Sequence, residues 1–128
     1  MTTEAHRKLS IGLGISNALV LALLVWTFGD SAVLRLRLAM AEGDTGIHAE
    51  MVKEACLTKD PKRAAECLRY LIWYYPSGSK QVTGSKLDRI VERCRTSSAL
   101  AIIAHMRAIT GKDLGDKPEP WIEQFASQ

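Results

Sequence analysis

The feature that most constrains this chain is an uncharged run of 21 residues near its N-terminus, from Leu9 to Gly29. The hydrocarbon core of a bilayer is about 30 Å thick, and a helix rising about 1.5 Å per residue needs about 20 apolar residues to cross it. Arg7 and Lys8 precede the run, and Trp26 and Phe28 lie where interfacial aromatic side chains are expected. The sequence therefore predicts a transmembrane anchor over residues 9–29.

Two other interpretations of this run are weaker. A cleaved signal peptide has an apolar region of about 7 to 15 residues, followed closely by a small-residue cleavage site. Here the apolar run is longer, the tripeptide at 39–41 lies well beyond its end, and the closer one at 30–32 begins with the charged Asp30. A core helix that is apolar on all sides needs more protein around it than the 99 residues after Gly29 provide. We favour an uncleaved signal anchor.

The membrane orientation follows less directly from the charges. Two basic residues precede the run, and Arg35 and Arg37 follow it. The numbers of basic residues on the two sides are therefore equal, and the positive-inside rule favours neither orientation. A short N-terminal tail before a single apolar span is typical of a signal anchor. We therefore expect residues 1–8 to form a cytoplasmic tail and the body to lie across the membrane, in the periplasm if the source is bacterial.

Small residues recur at every fourth position of the predicted anchor, at Ser10, Gly14, Ala18 and Ala22. This spacing places them on one helix face, where small side chains allow two membrane helices to approach closely. The pattern predicts self-association through this face. The alternative is that small residues are simply common in membrane helices.

The remaining chain shows helical patterns and no convincing strand. Residues 30–46 read as a juxtamembrane helix and linker, which the sequence "GDTG" at 43–46 is expected to break. A helical domain is predicted over 47–128. Its first helix covers 47–57, and Asp60 and Pro61 are typical of the start of a second.

A third helix is predicted from Ser85 to Ile109, with a kink or break near Thr96 to Ser98. A turn-rich link then leads to a short helical turn around Trp121, which we expect to pack against the helical body because its burial is worth about 2 to 3 kcal/mol. The fold class is therefore all-α, with an N-terminal transmembrane helix followed by a small helical bundle or solenoid-like helix pairs.

The segment from Gly78 to Lys86 has the composition of a phosphate-binding loop but not its spacing. Such a loop requires G-x-x-x-x-G-K-[ST] between a strand and a helix. Here five residues separate Gly78 from Gly84, the lysine comes one position late, and the preceding segment is predicted to be helical. We expect a solvated helix-to-helix loop. A formal charge of +3, from 17 basic and 14 acidic residues, also gives no support for nucleic-acid binding.

No residue cluster predicts catalysis, a metal or a cofactor. Cys56, Cys67 and Cys94 fall on predicted apolar stripes and read as core residues, although one disulfide remains an alternative. No Cys-x-x-Cys pair indicates zinc. His48 and His105 are isolated in the sequence, so the chain is not expected to be an enzyme or to bind a small-molecule substrate.

Aromatic residues concentrate at 71–76, "LIWYYP". On a helix, Tyr75 shares a face with Leu71 and is predicted to point into the core, which leaves Trp73 and Tyr74 nearer the surface. Exposed aromatic side chains are favoured at protein interfaces. Trp73 and Tyr74 are therefore candidate partner-binding residues, and packing against the tail is the competing interpretation.

The paired helices and short loops resemble α-solenoid repeats of the HEAT type over residues 47–125. The segment "KDPKRAAECLRYL" looks like the turn and second helix of such a repeat, and "HMRAITGKDLGDKPEPWIEQF" looks like a closing segment. The resemblance implies a binding scaffold without catalytic residues. We expect a membrane-anchored module that binds another protein or its own copy. The alternative is a small structural or stabilising subunit of a membrane complex.

Overall fold

The computed structural model describes residues 3–126, with side chains described from Gly14 onward. The described residues form helices and connecting loops, with no strand among them, so the predicted all-α fold class is confirmed. The four helices are α1 (Thr3–Leu57), α2 (Pro61–Trp73), α3 (Lys86–Thr110) and α4 (Pro118–Phe125). The chain divides into two compact units, Met1–Leu36 and Arg37–Gln128.

The first unit consists of the N-terminal part of α1. Its apolar side chains from Gly14 onward are exposed all around the helix, and Trp26 is 72% exposed. An apolar helix without a polar face is typical of a membrane span or of a fully enclosed core helix. This is a helix near the N-terminus that is long and apolar enough to cross a membrane.

In the second unit, the expected break at 43–46 is wrong, because α1 continues through this sequence. Ala41, Asp44 and His48 are buried on one face of the helix, and Asp44 pairs with Lys80 from a distant loop. A Cβ atom added at either glycine of the sequence would meet no atom within 4 Å, so the glycines face open space. Tertiary contacts along the buried face hold a segment that local propensity disfavours.

The predicted start of α2 and the predicted end of α3 are confirmed. The side chain of Asp60 accepts a hydrogen bond from the Lys62 amide at 3.0 Å, and Pro61 occupies the first helical position. Gly111 ends α3 with a φ of 68°, in the left-handed region that glycine adopts most readily.

The helix α3 does not break in its middle. The Thr96 hydroxyl donates to the Glu92 carbonyl oxygen at 2.9 Å, one turn earlier in the same helix. Ser98 is buried. These polar side chains are therefore accommodated inside a continuous helix of 25 residues.

The core of the second unit is built where α2 packs against α3 and α4. Trp121 is fully buried as predicted, and its indole nitrogen donates to the Gly115 carbonyl oxygen at 2.9 Å. Ala55 adds the end of α1 to the same cluster. The other large side chains without exposure in this cluster are Leu68, Leu71, Ile102, Ile103 and Met106.

Candidate interaction surface

The carboxylate of Asp88 organises the loop that resembles a phosphate-binding loop. It accepts hydrogen bonds from the Ser77 hydroxyl at 2.7 Å, the Gly84 amide at 2.8 Å and the Gly78 amide at 3.3 Å. The Ser77 hydroxyl, and then the Gly84 amide, hold the pKa of Asp88 below its usual value. The amides that would bind a phosphate are thus occupied by a carboxylate of the chain itself, which agrees with the sequence interpretation.

Lys80, the first of the two lysines in this loop, is also engaged. Lys80 lies 2.6 Å from the Asp44 carboxylate, which is only 2% exposed, and its ammonium group is 3.7 Å from the ring centre of Tyr75. Burial acts to lower the pKa of Lys80, but the hydrogen bonds to Asp44 and Tyr74 outweigh it and raise the pKa. Lys80 therefore serves the fold rather than standing free for an anion.

Arg95 fixes the C-terminal end of α2. Its buried guanidinium donates to the carbonyl oxygens of Leu71 and Ile72 at 3.1 Å and of Tyr74 at 2.7 Å. It also donates to the carbonyl oxygen of Tyr75, whose φ of 40° is positive. The last carbonyls of a helix have no partner within the helix, and Arg95 supplies one. Sequence reasoning missed this role, although Arg95 follows the buried Val91 by four residues and therefore lies on the same buried face of α3.

The aromatic surface consists of Tyr70, Trp73, Tyr74 and Tyr75. Trp73 is 74% exposed, whereas Tyr74 is half-buried and stacks on Tyr70 with ring centres 5.2 Å apart. Tyr75 meets Tyr74 edge to face at 4.6 Å and is exposed. The prediction that Tyr75 points into the core is therefore wrong, because α2 ends at Trp73 and the positive φ turns Tyr75 away from the helical stripe.

A wide groove of about 830 Å³ opens over this aromatic surface. Glu66 and Arg69 line it from the preceding turn of α2, and Pro76 lines it after the end of the helix. Both predicted partner-binding residues, Trp73 and Tyr74, line the groove. The structure brings them together with two tyrosines that the sequence interpretation had not grouped with them.

The predicted small-residue face of the anchor is described only in part. Gly14, Ala18 and Ala22 lie one turn apart in α1, and all three are exposed. Ser10 lies outside the residues whose side chains the structure describes. Self-association through this face stays a prediction.

The cysteines are free thiols and do not form a shared site. Cys67 is buried as predicted, and burial raises the pKa of its thiol. Cys94 is half-buried, whereas Cys56 is exposed, so its placement on the core stripe is wrong. Ala55 takes the core position beside it.

The two described histidines of the body lie in different environments. His105 Nε2 is 2.8 Å from the Thr58 carbonyl oxygen, whereas His48 is fully buried and neither ring nitrogen has a hydrogen-bond partner among the described residues. Burial and the positive charge of Arg95 lower the pKa of His48, and Asp44 opposes them. Within the described part of the chain, no three His, Cys, Asp or Glu side chains gather as metal ligands.

No protein-family model matches this sequence, and no curated protein or solved structure is significantly similar to it.

Proposed function

We propose that this chain is a membrane-anchored helical module, without catalytic activity, that binds another protein through the aromatic surface. The observation that carries the proposal is the 74% exposure of Trp73 beside three tyrosines. An exposed indole forgoes about 2 to 3 kcal/mol of burial. Tryptophan and tyrosine are enriched at the centres of protein interfaces, where that burial is recovered.

Contacts from outside the groove order the residues that line it. Arg95 donates hydrogen bonds to the carbonyl oxygens of Tyr74 and Tyr75, and the Lys80 ammonium group lies 4.9 Å and 3.7 Å from the centres of their rings. A surface that is already ordered loses less conformational entropy on binding. Tyr74 therefore contributes chiefly by supporting the surface, and Trp73 offers the area that a partner covers.

The anchor and the scaffold complete the proposal. Residues 9–29 would hold the chain in the membrane, with residues 1–8 in the cytoplasm and the body on the other side. The exposed apolar surface of α1 supports the membrane anchor, and the short tail before a single apolar span is the basis for the proposed orientation. The short connection between α1 and α2 and the packing of α2 on α3 support the HEAT-like reading of the body as a binding scaffold.

A second candidate is a structural subunit of a membrane complex. Exposed apolar side chains continue along α1 beyond Gly29, at Leu34, Leu36 and Leu38. A single span needs only about 20 apolar residues. The additional apolar surface would suit contact with helices of a neighbouring membrane subunit.

Site-specific photo-crosslinking of the full chain in its native membranes tests the proposal. A photoreactive residue at position 73 should yield a protein adduct of discrete mass, and the same residue at the exposed Glu119 of α4 should not. Adducts from positions 34 and 36, with none from position 73, would favour the structural subunit. Only lipid adducts from position 73 would refute the binding role of the aromatic surface.

A further inference from the structure

A second groove continues the aromatic surface along the α1–α2 side of the body. It has a volume of about 380 Å³ and shares Glu66 and Tyr70 with the first groove. Met51 contributes to its apolar lining. Glu50, Glu54 and Glu66 line it against a single basic residue, Arg63, which already pairs with Glu54 at 2.5 Å. We call this the acidic groove, since Glu50 and Glu66 form no ion pair within the described part of the chain.

The outer face of α3 has the opposite character. Lys86, Arg89 and Arg93 surround Ile90, which is 51% exposed, and Leu100 on the same side is 43% exposed. At 3.6 residues per turn these five residues fall within an arc of about 100°, opposite the buried residues of the helix. We call this face the basic stripe.

The basic stripe carries two exposed apolar side chains. Ile90 and Leu100 are about 15 Å apart along the axis, and the exposed Arg93 and Ser97 lie on the same face between them. None of its three basic side chains forms an ion pair with another described residue, whereas Arg107 on the same helix pairs with Asp113 and Asp116. The stripe thus has charge and apolar area available for a partner.

We propose that the basic stripe of one copy of the chain docks into the acidic groove of a second copy. This inference goes beyond the proposed function, because the acidic groove adjoins the aromatic surface through Glu66 and Tyr70 but does not include Trp73. The glutamates of the groove would face the basic side chains of the stripe, and Ile90 would cover the apolar lining. Opposite charges give such contacts their specificity and orientation.

The two surfaces share no residue, so one copy uses both at once. A contact between different surfaces of identical chains is heterologous and forms a ring or an open row. Anchoring in one membrane raises the local concentration of copies and favours such assembly. An anionic membrane could attract the basic stripe alone, but it would leave the acidic groove without an occupant. A second copy accounts for both surfaces.

Charge exchange in the full-length chain tests the inference. The groove variant carries Glu50→Lys and Glu66→Lys, and the stripe variant carries Arg89→Glu and Arg93→Glu. Chains with two different affinity tags are co-expressed and purified in mild detergent, and co-purification is measured. Co-purification of each variant with chains that carry the same substitutions should fall at least tenfold, because like charges then meet at the contact.

The groove variant and the stripe variant should capture each other at close to the wild-type level. A chain that carries all four substitutions should again capture itself. The matched control, Glu119→Lys with Glu123→Lys on α4, should capture itself like the wild type. Melting temperatures measured in parallel establish that each variant is folded. If one double variant does not fold, the chain with all four substitutions still tests the inference.

Three results would overturn the inference. One is undiminished self-capture by both double variants, which would place association in the anchor. Another is the absence of rescue when the folded variants are mixed. The third is a monomeric wild-type chain whose binding to anionic vesicles depends on Arg89 and Arg93, which would make lipid the occupant of the stripe. A non-self protein adduct at Trp73 together with no rescue would refute the second-copy partner and leave the proposed function standing.

Discussion

The Oδ2 atom of Asp88 accepts a hydrogen bond from the backbone amide of Gly84 at 2.8 Å. The loop before α3 therefore closes around a carboxylate that belongs to the next helix. Backbone amides in such a loop bind anions, and the anion here is part of the chain. The hydrogen bonds to Asp88 therefore explain why the loop has the composition of a phosphate-binding loop, and no nucleotide is required.

Replacing Asp88 with Asn should lower the melting temperature of the body, because one amide group cannot accept from all three donors. Since the pKa of Asp88 is lowered, its stabilisation is complete above the ordinary value of 3.8 and is lost as the pH falls below it. Thermal unfolding followed by circular dichroism measures the change. Asp60→Asn is the matched control and should have little effect, since asparagine caps helices as well as aspartate does.

Phosphate should have no effect on the wild-type melting temperature if Asp88 occupies the loop. A ligand that binds only the folded state stabilises it by RT ln(1 + L/Kd), where L is the free ligand concentration, so the melting temperature keeps rising with the logarithm of the ligand concentration. Such a rise with added phosphate, larger than the rise with chloride at the same ionic strength, would contradict the assignment of Asp88 as the occupant of the loop.

Replacing Arg95 with Met should destabilise the body by about 3 kcal/mol, since four carbonyl groups at the end of α2 lose a charged donor. Urea unfolding of the chain in detergent measures the difference. Arg93→Met removes the same charge from an exposed position and should change the free energy of unfolding by less than about 0.5 kcal/mol. Equal effects of the two substitutions would show that the buried hydrogen bonds contribute little.

The stability of the body should fall as the pH is lowered from 7.5 to 5.5. Burial depresses the pKa of His48, so the unfolded chain binds a proton more readily than the folded one below the usual histidine value of 6.5. The stabilisation is therefore present above pH 6.5 and is lost as the pH falls towards the folded pKa. Unfolding curves of the wild type at three pH values between 7.5 and 5.5 should show that the free energy of unfolding decreases as the pH falls.

In His48→Leu, the free energy of unfolding should depend less on pH than it does in the wild type. The substitution should not destabilise the chain at pH 7.5. The substitution removes two buried nitrogens that have no hydrogen-bond partner among the described residues, and leucine has a comparable volume. His105→Leu serves as the control, because His105 makes a hydrogen bond and its ring is not fully buried. A slope that persists in His48→Leu would assign the pH dependence to another group.

The two tryptophans should respond differently to truncation. Trp121→Ala should cost about 3 to 5 kcal/mol, as expected for a large buried side chain, whereas Trp73→Ala should stay within about 0.5 kcal/mol. Thermal unfolding provides the comparison. A large loss of stability in Trp73→Ala would place this residue in the core of the fold and remove the basis for a binding role.

Local rules predicted the boundaries that local interactions determine. Asp60 and Pro61 begin α2, and Gly111 ends α3. Trp121 was predicted to be buried from its size alone. The helix boundaries depend on caps and turn residues that are visible in a short window of sequence.

The features that the sequence did not predict depend on distant contacts. The helix continues through 43–46 because Asp44 meets Lys80, which is 36 residues away. Tyr75 is exposed because a positive φ follows the end of α2, and Arg95 stabilises that turn from 20 residues away. The aromatic surface thus combines a local pattern with a conformation that only tertiary contacts define.

The central claim is that the uncharged N-terminal segment anchors the intact chain in the membrane. Alkaline carbonate extraction of native membranes, followed by mass determination of the chain, tests it most directly. The account predicts an intact chain that stays in the membrane pellet, since a transmembrane helix is not released by removing peripheral contacts. A shortened chain that lacks its first few dozen residues and appears in the supernatant would contradict it.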